Sequence, residues 1–212
     1  MAHPSPTPLA VPWEMKPVAS AEPTEQELND GRVRYAVRHE PIADVTPRML
    51  LWWFDNMAGN VEVGGQVIPR FRAWHPTDHV RMSYVTRGRN DHRMGPGSKF
   101  RTLEDRGQDA RYRVDLVAEV QRLDEGGLTY IGRWFGVEVC RLECTFDATY
   151  RGTLVTSALT VGGTLGLLGR AVTPRVFARS RGLAWQRHHV EEVGNWQFFL
   201  PKLFRDETGS AG

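Results

Sequence analysis

Residues 188–192 read HHVEE, two imidazoles and two carboxylates inside a stretch otherwise patterned to lie against a core. On a helix, residues four apart sit one above the other, so His188 and Glu192 project from one face while His189 and Glu191 turn away on either side. An imidazole nitrogen and a carboxylate oxygen at that spacing can hold one divalent ion. The same spacing also occurs on ordinary solvated helix faces, so the pair needs further donors from elsewhere in the chain.

Two other segments offer them. WHPTDH at 74–79 sets two histidines beside a proline turn at a strand start, where rigid backbone can aim a side chain into a cavity. Of the seven histidines, four fall in these two short motifs. Glu104, in SKFRTLEDRG, is a carboxylate read as lying at the edge of a sheet. His75, Glu104, His188 and Glu192 together make two nitrogen and two oxygen donors, a set that zinc accepts in tetrahedral geometry and that iron(II) or manganese could also occupy. His79 competes with His75 for the same place, and whichever is not a ligand is expected to hydrogen-bond behind one.

Those residues need elements to hold them. VRYAVRHEPI alternates as a strand does, and DVTPRMLLWWFDNM follows as a helix, with Thr46 at the cap and Pro47 in the first turn. PRFRAW, HVRMSYVTR, ARYRVDLVAEVQRL, LTYIGRWFGVEVCRLECTF and GTLVTSALTVG then read as strands joined by short turns, which makes the sheet antiparallel. From about Pro174 to Leu200 the period changes to that of a long amphipathic helix, with Pro201 expected to end it. The pattern predicts an α+β domain in which a curved antiparallel sheet grips a long C-terminal helix and leaves a ligand cavity between them. GGTLGLLGR lacks the Lys-Ser/Thr ending of a phosphate loop and reads as a glycine-rich bend.

The 212 residues suffice for one domain with its own core. Residues 1–30, rich in Pro, Ala, Glu and Thr, are expected to form a flexible arm on which Trp13 and Met15 dock locally; 31–205 form the domain and 206–212 a disordered tail. Lys+Arg of 27 against Asp+Glu of 25 gives a net charge of +2, too balanced to point to nucleic acid or a membrane surface. No segment has the roughly 18 apolar residues of a membrane helix, nor does the N-terminus read as a leader. Cys140 and Cys144 are placed on one side of a strand, unsuited to a bridge, which fits a reduced, cytoplasmic setting. The expected partner is a small molecule.

MLLWWF, WHPTDH, an acidic residue after a glycine-containing loop, and HHVEEVGNWQFFLP together resemble the 2,4-diacetylphloroglucinol hydrolases and the related phloretin hydrolases, over about residues 32–205. The resemblance implies a helix-grip fold and a zinc ion held by a histidine, a glutamate and the His-x-x-x-Glu pair, roles that fall on His75, Glu104, His188 and Glu192. It also implies hydrolysis of the carbon–carbon bond between an acyl group and a polyhydroxylated aromatic ring. The family carries a further histidine between the acidic ligand and the helix pair, whereas no histidine lies between Arg93 and Arg187 here. Its members also have a longer N-terminal part that helps subunits associate, so a homodimer is one possibility for this shorter chain.

Such a cleavage needs the ring to leave as a carbanion equivalent, which flanking phenols permit through a keto tautomer protonated at the acyl-bearing carbon. A metal with an open position suits attack of water on the ketone, and His79, Asp78, Tyr84 and Glu191 are the candidates to move the proton. Trp52, Trp53, Trp134 and Phe135 are expected to build core and cavity wall. The competing expectation is a non-catalytic binder or carrier of aromatic or polyketide ligands, which has no need of a metal.

Overall fold

The computed structural model describes residues 7–88, 93–162 and 177–210. Strands β1 (Ala21–Glu27) and β2 (Val33–His39) pair first, followed by the short β3 (Ile42–Ala43) and helix α1 (Pro47–Asn56). The Thr46 hydroxyl accepts the Met49 N–H at the head of α1, and Pro47 occupies the first turn, where no N–H is needed. A two-stranded ribbon, β4 (Asn60–Val63) and β5 (Gln66–Pro69), leads into helix α2 (Arg70–Trp74). Strands β6 (His79–Thr86), β7 (Lys99–Asp105), β8 (Arg113–Asp124), β9 (Gly127–Trp134), β10 (Val137–Thr149) and β11 (Gly152–Val161) follow, and helix α3 (Arg179–Thr208) comes last.

The main sheet is antiparallel in the order β1-β2-β11-β10-β9-β8-β7-β6, with β3 also on β11. It curves around α3, which makes the domain a helix-grip fold of the START-like kind. Alternation along each strand sends Tyr35, Val37, Phe100, Val120, Leu128, Leu142, Phe146 and Val155 into the core that Trp185, Val190, Val193, Trp196, Leu200 and Phe204 of α3 also enter. Burying each large apolar side chain contributes roughly 1.5–3 kcal/mol, and stacked pairs such as Trp74 and Trp196, 5.1 Å apart, fix their relative positions.

Four expectations change. Residues 21–27 are strand β1, paired in register with β2 from Ala21 opposite His39 to Glu27 opposite Val33, and not a flexible arm. The pairing is carried by backbone, while six of its seven side chains are exposed and charged or polar for the most part, so no apolar pattern announces it. Trp13 does dock, stacked on Phe198 at 5.4 Å. PRFRAW is the end of a strand and then α2; the period of two over Arg70–Trp74 is overridden because a turn of helix sends Phe71 and Trp74 together into the core. Pro201 does not end α3, which runs on to Thr208 and stops at Gly209 in the left-handed conformation. Leu200, Leu203 and Phe204 are buried beyond that point and the last turn is tied to Arg70 through Glu207, which outweighs the roughly 3 kcal/mol cost of the proline. The tail expected at 206–212 is therefore helical through Thr208. The glycine-rich bend and the helix start near Pro174 fall mainly on 163–176, outside the described residues.

Candidate metal centre

Helix α2 turns Trp74 inward, the HPTD turn reverses the chain, and β6 begins at His79. Across the ladder His79 stands opposite Glu104 of β7, so both side chains leave one face of the sheet side by side. Glu104 is thus in the strand next to the edge, with β6 outside it and β8 inside. Facing them from α3 come His188 and Glu192, one turn apart. All four are buried.

His79 donates from Nδ1 to the Phe71 carbonyl at 2.7 Å, which leaves Nε2 as the lone-pair nitrogen. That Nε2 is buried without a hydrogen-bond partner and lies 3.4 Å from Glu192 Oε2. His188 donates from Nδ1 to Asp78 Oδ2 at 2.9 Å, and its Nε2 lies 3.6 Å from Glu192 Oε2 and 3.7 Å from Glu104 Oε2. Ligands about 2.0–2.2 Å from a tetrahedral ion sit about 3.4 Å from one another. Two imidazoles whose other nitrogens are committed to a carbonyl and a carboxylate are in the tautomer that coordination requires. His79, His188 and Glu192 each place a donor atom within 4.8 Å of the others, a group that fits a zinc-like ion, and Glu104 adjoins it through His188.

His75 is placed otherwise. Its Nδ1 accepts the Asp78 amide and its Nε2 meets Glu191 Oε2 at 3.1 Å, so both nitrogens are occupied, and its ring stacks on that of His188 at 4.4 Å. The three residues between the histidines form a turn, so only His79 lands opposite Glu104, while His75 falls in a second group of possible donors with Asp78 and His188. His75 and Glu191 instead brace the site, with Arg187 on the far oxygen of Glu191.

Asp78 gathers the His188 imidazole and the amides of Gly107 and Gln108. Burial opposes its ionisation, but the His188 hydrogen bond, the neighbouring His75 and the Gly107 amide hold its carboxyl well below the usual range. Burial likewise opposes Glu104 and Glu192; Arg106 and His188 for the first, His188 and His189 for the second, keep both lowered. His188 is shifted down, mainly by burial and then by His75, toward the neutral form that binds metal. His189 places Nδ1 on the other oxygen of Glu192.

Beside the centre opens a cavity walled by Phe54, Phe100, Leu128, Trp185 and Trp196, with Glu104, Arg106, Tyr130, His188, His189 and Glu192 at its polar end. It is narrow, with about 40 Å³ into which the centre of a water molecule fits, room for a few waters. Of the four residues read as acid–base candidates, none lines it. Tyr84 is turned away, its hydroxyl donating to the Phe54 carbonyl at 3.0 Å and pushed up to about 12, chiefly by burial. Asp78 and Glu191 are occupied by His188 and His75, and His79 belongs to the candidate donor group itself. Trp134 and Phe135, read as core or wall, are exposed at the β9–β10 turn. Sequence reading missed Arg106, Tyr130 and His189; a tyrosine at an inward position of LTYIGRW looks the same whether it packs or faces a ligand.

No protein-family model and no curated protein matches the chain. Solved structures similar to it include the CalU16 protein of Micromonospora echinospora, at 11% identity over 87% of this chain and 88% of that one, with a TM-score of 0.45. The KanY protein is 12% identical over 80% and 97%, with a TM-score of 0.49. A START superfamily protein from Mycobacterium smegmatis is 13% identical over 76% and 97%, with a TM-score of 0.44. Among the described residues no helix is long and apolar enough to cross a membrane.

Proposed function

We propose that this protein is a metal-dependent hydrolase that cleaves the carbon–carbon bond between an acyl group and a polyhydroxylated aromatic ring, as the resemblance to the diacetylphloroglucinol and phloretin hydrolases suggests. The observation that carries the reading is the meeting of His79, His188 and Glu192, whose donor atoms lie within 4.8 Å of one another and leave a fourth position open, with Glu104 3.7 Å from His188 Nε2, beside an aromatic-lined cavity. Bound there, zinc would supply a Lewis acid for the ketone and lower the pKa of a bound water toward about 7.

The chain's own residues do the rest. Phe71 and Asp78 hold the two imidazoles in their tautomers. Apolar walls exclude bulk water; the space between them holds only a few waters, so a ring enters as these side chains move apart. His189 and Tyr130 both line the cavity; the acid–base role passes to His189 from Asp78, Tyr84 and Glu191, and Tyr130 serves as a hydrogen-bond donor.

A carrier of aromatic ligands would use the same walls, but a buried imidazole nitrogen left without a partner costs about 1–3 kcal/mol unless something binds it. Facing Glu192 at 3.4 Å, that nitrogen favours a bound ion over a metal-free carrier. The test is product analysis on mono- and diacylphloroglucinols, phloretin, acetophenone and an aryl ester. Release of carboxylic acid from the phloroglucinol-type ketones alone supports the reading; rapid ester cleavage without ketone cleavage points to an esterase. Tight binding of a phenol with no turnover by zinc-loaded protein would replace it with the carrier.

A further inference from the structure

Across the cavity from α3, β9 and the segment just past β7, two strands separated by β8, present polar groups that the metal site does not use. Arg106, just past the end of β7, donates through Nε and Nη2 to Glu104 Oε2 at 3.3 and 3.2 Å, and its Nη1 makes no hydrogen bond among the described residues. Tyr130 of β9 lines the same end, its ring held edge-on by Phe100 at 5.3 Å, and its hydroxyl also has no partner among the described residues. The surrounding wall is apolar, so an oxygen entering there finds these two groups and the metal site as its polar neighbours.

Building on the hydrolase reading, we propose that Tyr130 and Arg106 form the subsite that receives the ring oxygen flanking the acyl group, and that they hold it as a phenolate. Both offer donors. Arg106 carries five N–H groups and no acceptor. The Tyr130 hydroxyl stays protonated because burial, and then the Glu104 charge, push it well above its ordinary range. A donor-only pair suits both ends of the ring's proton step. The phenolate oxygen is an acceptor before the acyl-bearing carbon takes its proton, and the dienone oxygen is an acceptor after, the ring's electron pair having moved onto the new C–H bond. Charge agrees: a divalent ion is matched by Glu104 and Glu192, and Arg106 leaves one positive charge over for an anionic ring.

The experiment uses 4-nitrocatechol, whose phenolate absorbs at longer wavelength than its phenol, titrated into zinc-loaded wild type and Tyr130→Phe near pH 6. Metal content and turnover of an acylphloroglucinol are followed alongside. Wild type is expected to bind the probe as phenolate. Tyr130→Phe, which keeps the ring, should bind it about tenfold or more weakly at unchanged metal content, as loss of one hydrogen bond to a charged oxygen requires. Arg106→Gln, compared at equal metal loading, should shift the bound probe toward its phenol spectrum. Failure of wild type to bind the probe as phenolate overturns the inference, as does Tyr130→Phe binding within twofold with the same spectrum. If the probe behaves as expected and no acylphloroglucinol is cleaved, the subsite stands and the hydrolase reading falls; cleavage unaffected by Tyr130→Phe has the opposite meaning.

Discussion

Replacing His79 and His75 separately by alanine separates a ligand from a brace. Both rings are fully buried, so on packing alone each substitution is expected to cost about 2–5 kcal/mol. The consequences for metal differ. His79→Ala removes the nitrogen that faces Glu192 at 3.4 Å and leaves three donors. Loss of groups behind a ligand already costs 10- to 100-fold in affinity, so loss of the ligand is expected to cost about 100-fold or more, about 3 kcal/mol. His75→Ala takes away the partner of Glu191 Oε2 and the ring stacked on His188, but no donor to the ion. Its affinity for zinc should fall by about tenfold at most. The assay is competition for zinc against a chromophoric chelator, with thermal unfolding run on the same samples to confirm folding. A folded His75→Ala protein that has lost zinc, beside a His79→Ala protein that keeps it, would refute the assignment.

Asp78→Asn should weaken zinc binding about 10- to 100-fold, measured by the same competition, because it removes the charge that holds His188 Nδ1–H and two backbone amides. Tyr84→Phe should leave turnover unchanged and cost about 1 kcal/mol in denaturant unfolding, the worth of its bond to the Phe54 carbonyl. The metal-free protein should lose stability as pH rises from 6.5 to about 9. Burial works against the charge on His189, but Glu192 raises it to about 9 from 6.5, so its contribution is complete below 6.5 and gone above 9. Glu192, shifted well below 4.5, contributes fully above that value and loses its share only as pH falls through its lowered range. A melting temperature of the chelated protein that is flat or rising from pH 6.5 to 9 would contradict this.

The helix pair was legible because its chemistry repeats at the period of the element: His188 and Glu192 share a face in any helix through them. Thr46 and Pro47 likewise mark the start of α1 by local bonding alone. The choice between His75 and His79 was not legible, since it turns on where β6 begins and on which residue falls opposite Glu104, a long-range register. PRFRAW misled because a single helical turn is too short to show its period. β1 was hidden for the opposite reason, its pairing being backbone to backbone with its side chains in water. Pro201 carried a strong local signal, overridden by the burial of Leu203 and Phe204 after it. Arg106 and Tyr130 meet the site only because β7, β8 and β9 lie side by side, which no spacing in the chain reports.

The most direct test of the central claim is diffraction from zinc-grown crystals, collected on either side of the zinc absorption edge. One anomalous peak is expected, about 2.0–2.2 Å from His79 Nε2, His188 Nε2 and a carboxylate oxygen each of Glu104 and Glu192. A peak instead among His75, Asp78 and His188, whose donor atoms also lie within 4.8 Å of one another, or no peak at all, would contradict the account.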